Sequence, residues 1–360
     1  MATKAETPWW TWAAPIAAWV ILLTALAFGV GTLMAALAGA ALIVTVFAAV
    51  HHAEVVAHRT GEPYGTLVLA VAVTVIEVAL IVSIMISTPG GKVELARDTV
   101  FAAVMIVCNG IVGICLLSGG ARHHEQGFHI QGASAALAVL AALTVLTLVL
   151  PNVATTAPGP FFSPSQLVFA AVVSLLLYGS FVFVQTVRHR DYFLPVDRKN
   201  EDAHARPPSN RTALISAGLL VAALVAVVGL AKSLTPTLET GVAWLGVPEA
   251  VVGIVIAGLV LLPEGLAALR AAQANRLQTS LNLALGSALA SIGLTIPAVA
   301  ALSIGLNRQL ELGLNGKEQI LLALTLIVGV ITLGTGRTTV LQGIVHLVIF
   351  AAFLFFSIVP

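Results

Sequence analysis

Glu77 and Glu264 each lie deep in an apolar run, where a carboxylate is expensive. Glu77 follows thirteen residues of a run that begins at Tyr64, which at about 1.5 Å per residue puts it roughly 20 Å in, near mid-bilayer. Glu264 is flanked by AGLVLL before Pro263 and by GLAAL after it. A charge at such depth costs about 3 kcal/mol on insertion scales, so the group must face a partner, a cavity or an ion. Two carboxylates neutralise one divalent cation, and hard oxygen ligands suit Ca2+, with hydroxyls and carbonyls completing the shell. One Na+ and one proton balance the same two charges, so monovalent exchange stays open. Thr74 stands one turn before Glu77 on the same helix face and offers a hydroxyl. Asn109 in VCNGIVG, and Asn282, Ser287 and Ser291 in NLALGSALASIG, are further oxygen donors, although small and hydroxylated residues also serve ordinary helix packing. Pro263 and Gly265 flank Glu264 and are expected to break its helix, freeing carbonyls for a cation.

The elements that hold these residues are membrane helices. Of 360 residues, 59% are hydrophobic and only 9% charged, against about 25% charged in ordinary soluble domains, so the chain could not cover a water-facing surface. A net charge of +1 leaves no electrostatic footprint for nucleic acid. The apolar runs predict eleven transmembrane helices: Trp9 to Gly29, Gly31 to Ala57, Tyr64 to Thr88, Arg97 to Ser118, Ile130 to Leu150, Ser165 to Arg188, Thr212 to Ala231, Leu245 to Arg270, Leu277 to Leu306, Glu318 to Leu333 and Thr338 to Ile358. The basic, proline-containing stretch 189–211 separates the sixth run from the seventh and reads as a linker. Cys108 and Cys115, seven apart in one run, read as packing residues.

Positive charge is retained on the cytoplasmic side, and an inside N-terminus with eleven spans leaves only Lys92, Arg97, Lys232, Arg308 and Lys317 of the 17 Lys and Arg outside. The C-terminus is then outside. With the first helix (1–30) set apart, ten spans divide into 31–188 and 212–360, five each. An odd unit repeated across one membrane must be inverted, a plan that places the substrate site at the midplane where halves meet. A single offset of 187 aligns GEPYGTLVLAVAVTVIEVALI (Gly61 to Ile81) with PEAVVGIVIAGLVLLPEGLAA (Pro248 to Ala268), matching Glu62 to Glu249 and Glu77 to Glu264. Glu62 and Glu249 open their helices, where an acid complements the helix dipole or recruits cations at the mouth.

These residues carry a resemblance. The segments HHAEVVAHRTGEPYGTLVLAVAVTVIEVALIVSIM and PEAVVGIVIAGLVLLPEGLAALRAAQANRLQTSLNLALGSALASIGLTIPAV resemble the two signature repeats of bacterial calcium/proton antiporters of the cation/calcium exchanger superfamily. The resemblance implies two inverted five-helix repeats behind an extra N-terminal helix, and a midplane cation site with one acid per half, here Glu77 and Glu264. It implies a secondary antiporter rather than an enzyme, in a bacterial inner membrane, with inorganic cations, protons and lipid as partners and no cofactor. Where many members carry a GN-x-x-E type signature, this chain reads Val-Thr-Val-Ile-Glu, and its central loop is basic rather than acidic.

Exchange follows from shared ligands: once a cation leaves, two bare carboxylates in low dielectric do not both stay ionised, and protons replace it. An empty, doubly charged site is too costly to occlude, which couples the fluxes. His51, Glu54 and His58 recur at three- and four-residue spacing at the cytoplasmic end of the second span, as a proton-access gate, a pH sensor or simply a wet helix end. Arg122-His123-His124-Glu125 reads as a solvated loop. The rival from another class is a cytoplasmic-face metalloenzyme built from His51, His52, Glu54, His123, His124 and Glu125, although no HExxH spacing occurs. Trp9, Trp10, Trp12 and Trp19 read as interface anchors.

Overall fold

The computed structural model describes residues 8–61, 64–87, 94–194, 208–246, 248 and 250–359. Eleven helical stretches occupy the eleven expected runs: α1 Trp9–Phe28, α2 Thr32–Thr60, α3 Tyr64–Ser87, α4 Leu95–His123, α5 Ile130–Asn152, α6 Pro164–Arg188, α7 Asn210–Leu245, α8 Ala250–Gln273, α9 Leu277–Gly305, α10 Gly316–Leu333 and α11 Val340–Ile358. By length and composition, ten of them are able to cross a membrane among the described residues, and α3 carries a shorter apolar stretch, Thr74–Ser83. The protein is an all-α integral membrane protein.

Local chemistry explains the helix ends. Ser163 caps α6 in a reciprocal box with Gln166, with Pro164 at the first helical position, and Asn315 with Glu318 does the same for α10. Gly61, at φ 73°, ends α2 in a backbone region that disfavours side chains. Three helices loosen into π turns that the apolar pattern does not announce: Ile106–Ile111 in α4, Val145–Val149 in α5 and Val184–Arg188 in α6. α7 runs about 14 residues past the expected Ala231, through Pro236, and the hydroxyls of Thr235 and Thr240 bond back to the carbonyls of Ala231 and Pro236 within it.

The chain divides into two compact units. One contains α1, α2, α3 and α7. Here α2 packs along α7, α1 and α3, and Trp19 donates its indole N–H to the Ala222 carbonyl at 3.1 Å, so this tryptophan ties α1 to α7. Gly229 of α7 takes the side chain of Leu22, which a Cβ would meet at 2.5 Å.

The other unit contains α4–α6 and α8–α11. Its inner helices are α4 and α9, with 78% and 67% of their apolar windows buried, against 22% for α11. α9 packs on α6, α8 and α5, while α4 packs on α11 and α8. A two-residue antiparallel ladder closes one end, β1 Gln126–Gly127 with β2 Arg337–Thr338, pairing Gln126 with Thr338. At the other end Arg97 is bonded to Asp98, Glu94, Glu311 and the Gly313 carbonyl.

Candidate cation site

Thr74 and Glu77 lie three residues apart on α3, and each is 4% exposed. Both side chains are therefore enclosed on the same stretch of α3. In the same unit, His51 is half-buried with its ring 6.2 Å from Trp10, whereas Glu54 and His58 are exposed on the last turns of α2. His52, which sequence reasoning used only for the metal rival, is the enclosed histidine: it is 1% exposed and its Nε2 lies 2.9 Å from the Thr11 carbonyl. Glu62 and Glu249 lie outside the described residues, as does 195–207 of the linker.

In the other unit Glu264 is half-buried on α8 and accepts a close hydrogen bond at Oε2 from the Ser287 hydroxyl of α9. Ser291, one turn on, is 2% exposed. Tyr178 of α6 is packed against Gly293, where a Cβ would come within 2.6 Å of the ring-bearing carbon. The expected helix break is not there: α8 is continuous from Ala250 to Gln273 through Pro263, Glu264 and Gly265. Proline removes a single N–H bond, to the carbonyl four residues back at Leu259, and the remaining ladder carries the helix across it. Gly265 has a different task, letting Ile111 of the α4 π turn come within 3.1 Å of where its Cβ would be.

The two asparagines bond neutral groups. Asn282 donates to the Phe193 carbonyl at 2.6 Å and accepts from Gln278 at 2.9 Å, fastening the start of the linker to α9. Asn109 is fully buried; its Nδ2 donates to Thr325 at 2.8 Å and its Oδ1 meets His346 Nδ1 at 3.2 Å. Thr325 and His346 were missed by the sequence reading, since each sits alone in an apolar run. Among the described residues no three His, Cys, Asp or Glu gather into a metal-holding group, so the metalloenzyme rival has no geometry behind it.

Residues 30–187 and 215–359 match the family model described as sodium/calcium exchanger protein. The chain is 53% identical to a putative ionic transporter, y4hA, of Sinorhizobium fredii, over 99% of this chain and 98% of that one. It is 37% identical to the sodium-potassium/proton antiporter ChaA of Escherichia coli, over 86% and 84%. Among solved structures its fold resembles native YfkE, with a TM-score of 0.71 at 15% identity over 98% and 100% of the chains. It also resembles the H+/Ca2+ exchanger CAX, with a TM-score of 0.69 at 16% identity over 96% and 87%. Carboxylates enclosed or half-buried on apolar helices, this fold and matches across most of the sequence agree: the chain is a secondary transporter of cations, not an enzyme, and belongs to the sodium/calcium exchanger protein family.

Proposed function

We propose that the protein exchanges Ca2+ for H+ by alternating access, with Glu77 and Glu264 as the carboxylates that the cation and protons occupy in turn. The observation that carries this reading is the Glu264–Ser287 pair on adjoining helices, matched at an offset of 187 by the enclosed Glu77, three residues after Thr74 on α3. Ser287 spends its one proton on the carboxylate and keeps oxygen lone pairs for a cation, as does any hydroxyl of Thr74 or Ser291 that faces the ion. The same offset carries α3 onto residues 251–274, one residue from α8, which supports two inverted repeats at 31–188 and 212–360 behind an extra first helix, 1–30. The two family-matched stretches run alongside these repeats. Asn109 and Asn282 act in this reading by holding helices rather than by touching the ion.

A second reading is Na+ or K+ exchange for H+ at the same carboxylates. The relative named as a sodium-potassium/proton antiporter favours it. Purified protein in liposomes under an imposed pH gradient separates the two. Ca2+ flux lost in both Glu77→Gln and Glu264→Gln is the expected result. Flux of Na+ or K+ alone would replace the substrate and keep the site, and wild-type transport in either variant would remove that glutamate from the mechanism.

A further inference from the structure

The π turn in α4 releases a carbonyl. The N–H of Val112 bonds to Val107, five residues back, instead of Cys108 four back, so the Cys108 carbonyl loses its usual helical donor inside a largely buried helix. The His346 ring of α11, 1% exposed, bonds this turn: its Nδ1 meets Asn109 Oδ1 at 3.2 Å.

The partners fix the proton's position on the ring. Asn109 uses Nδ2 to donate to Thr325, whose own hydroxyl proton goes to the Leu321 carbonyl at 2.7 Å. Asn109 Oδ1 is therefore an acceptor, ring Nδ1 carries hydrogen, and Nε2 accepts from the Thr332 hydroxyl of α10 at 3.2 Å. A neutral imidazole satisfies every one of these groups, and all its partners are uncharged. Close helix approach makes this reach possible, with Gly113 against the Cβ of His346 and Gly343 against the α4 backbone at Leu117. On its other face the same π turn presses Ile111 onto Gly265, the neighbour of Glu264.

We infer that His346 is a positioning residue for exchange: its neutral ring staples the α4 π turn, and that turn sets α8 at Glu264. The inference rests on Glu264 being an exchange carboxylate. His346 does not carry a transported proton.

The test is cation-dependent exchange in proteoliposomes, recorded as half-saturating cation, maximal rate and pH profile for wild type, Glu264→Gln, His346→Leu, His346→Gln and Thr332→Val. His346→Leu is expected to raise the half-saturating concentration by about 10-fold or more, as loss of groups supporting a cation ligand does, with a smaller change in maximal rate. Thr332→Val, which removes only the outer partner, raises it less and carries the test if His346→Leu does not reach the membrane. His346→Gln, whose amide keeps one donor and one acceptor, retains the wild-type half-saturation and pH profile. Unchanged half-saturation in both His346→Leu and Thr332→Val, with Glu264→Gln inactive, overturns the staple. An altered pH profile in His346→Gln overturns it by making the ring a titrating group. Active Glu264→Gln overturns instead the reading of Glu264 on which the staple depends.

Discussion

Ser287 is the residue whose removal asks most directly what the Glu264 carboxylate needs. Its hydroxyl donates to Oε2 in a half-buried setting where water competes poorly, and a hydrogen bond to a charged group is worth about 1.5–3 kcal/mol. Ser287→Ala is therefore expected to raise the half-saturating cation concentration about 10-fold, near 1.4 kcal/mol, while Glu264→Gln abolishes transport. Equal half-saturation in Ser287→Ala and wild type, read in liposome flux, would take the hydroxyl out of the site. Glu77 and Glu264 stand out in the sequence because a carboxylate amid apolar residues declares its own cost. Thr325 and His346 do not, because their partner Asn109 lies 216 and 237 residues away and only the fold brings them together. A separation of 89 residues likewise hid the partner of Asn282, the Phe193 carbonyl.

Helices repeat this lesson one level up. The apolar runs marked each of the eleven long helices among the described residues, since runs of about 20 residues between charged or Gly/Pro breaks have one stable form in lipid. The interruptions were harder to read. Pro263 looked like a break and is spanned by an intact helix, whereas the π turn at Ile106–Ile111, with no proline near it, is where α4 departs from regularity. Glycine contacts carry the packing that such departures require. A Cβ at Gly343 would lie 2.4 Å from the Leu117 nitrogen and 2.9 Å from the Gly113 oxygen, both backbone atoms that cannot step aside. Gly343→Val should destabilise the protein by about 1–3 kcal/mol, seen as a lower melting temperature in detergent. Gly179→Ala, with open space around it, is the control and should melt like wild type. Equal melting of Gly343→Val and wild type would mean that α11 can move off α4 without loss.

At the scale of the molecule, the unit containing α4 has two chemically different ends. At one, the Arg97 guanidinium joins Asp98 and Glu311, and the segment through Leu312 and Leu314 is tied down by bonds from Gly313 to Pro160 and from Leu314 to Leu148. At the other, His123 meets the Gln273 carbonyl at 2.9 Å, Gln126 bonds Ala272, and Arg337 pairs with Glu125 at 3.6 Å. α4 links the two, and its 29 residues at about 1.5 Å each span roughly 43 Å, enough to put them on opposite faces of a bilayer. Arg122, Arg270, Arg276 and Arg337 crowd the second end, and retention of positive charge predicts that this end is cytoplasmic and the Arg97 end external. Cys108 and Cys115 are 5% and 1% exposed, so the native thiols give a silent background for labelling. Ala121→Cys and Gln309→Cys place single thiols at exposed positions on the two ends. A membrane-impermeant maleimide applied to intact cells should label Gln309→Cys alone, with Ala121→Cys reacting only after the cells are broken. The reverse pattern would invert the molecule while leaving its fold and carboxylates as they are, and labelling of both from outside would mean that α4 does not cross the membrane.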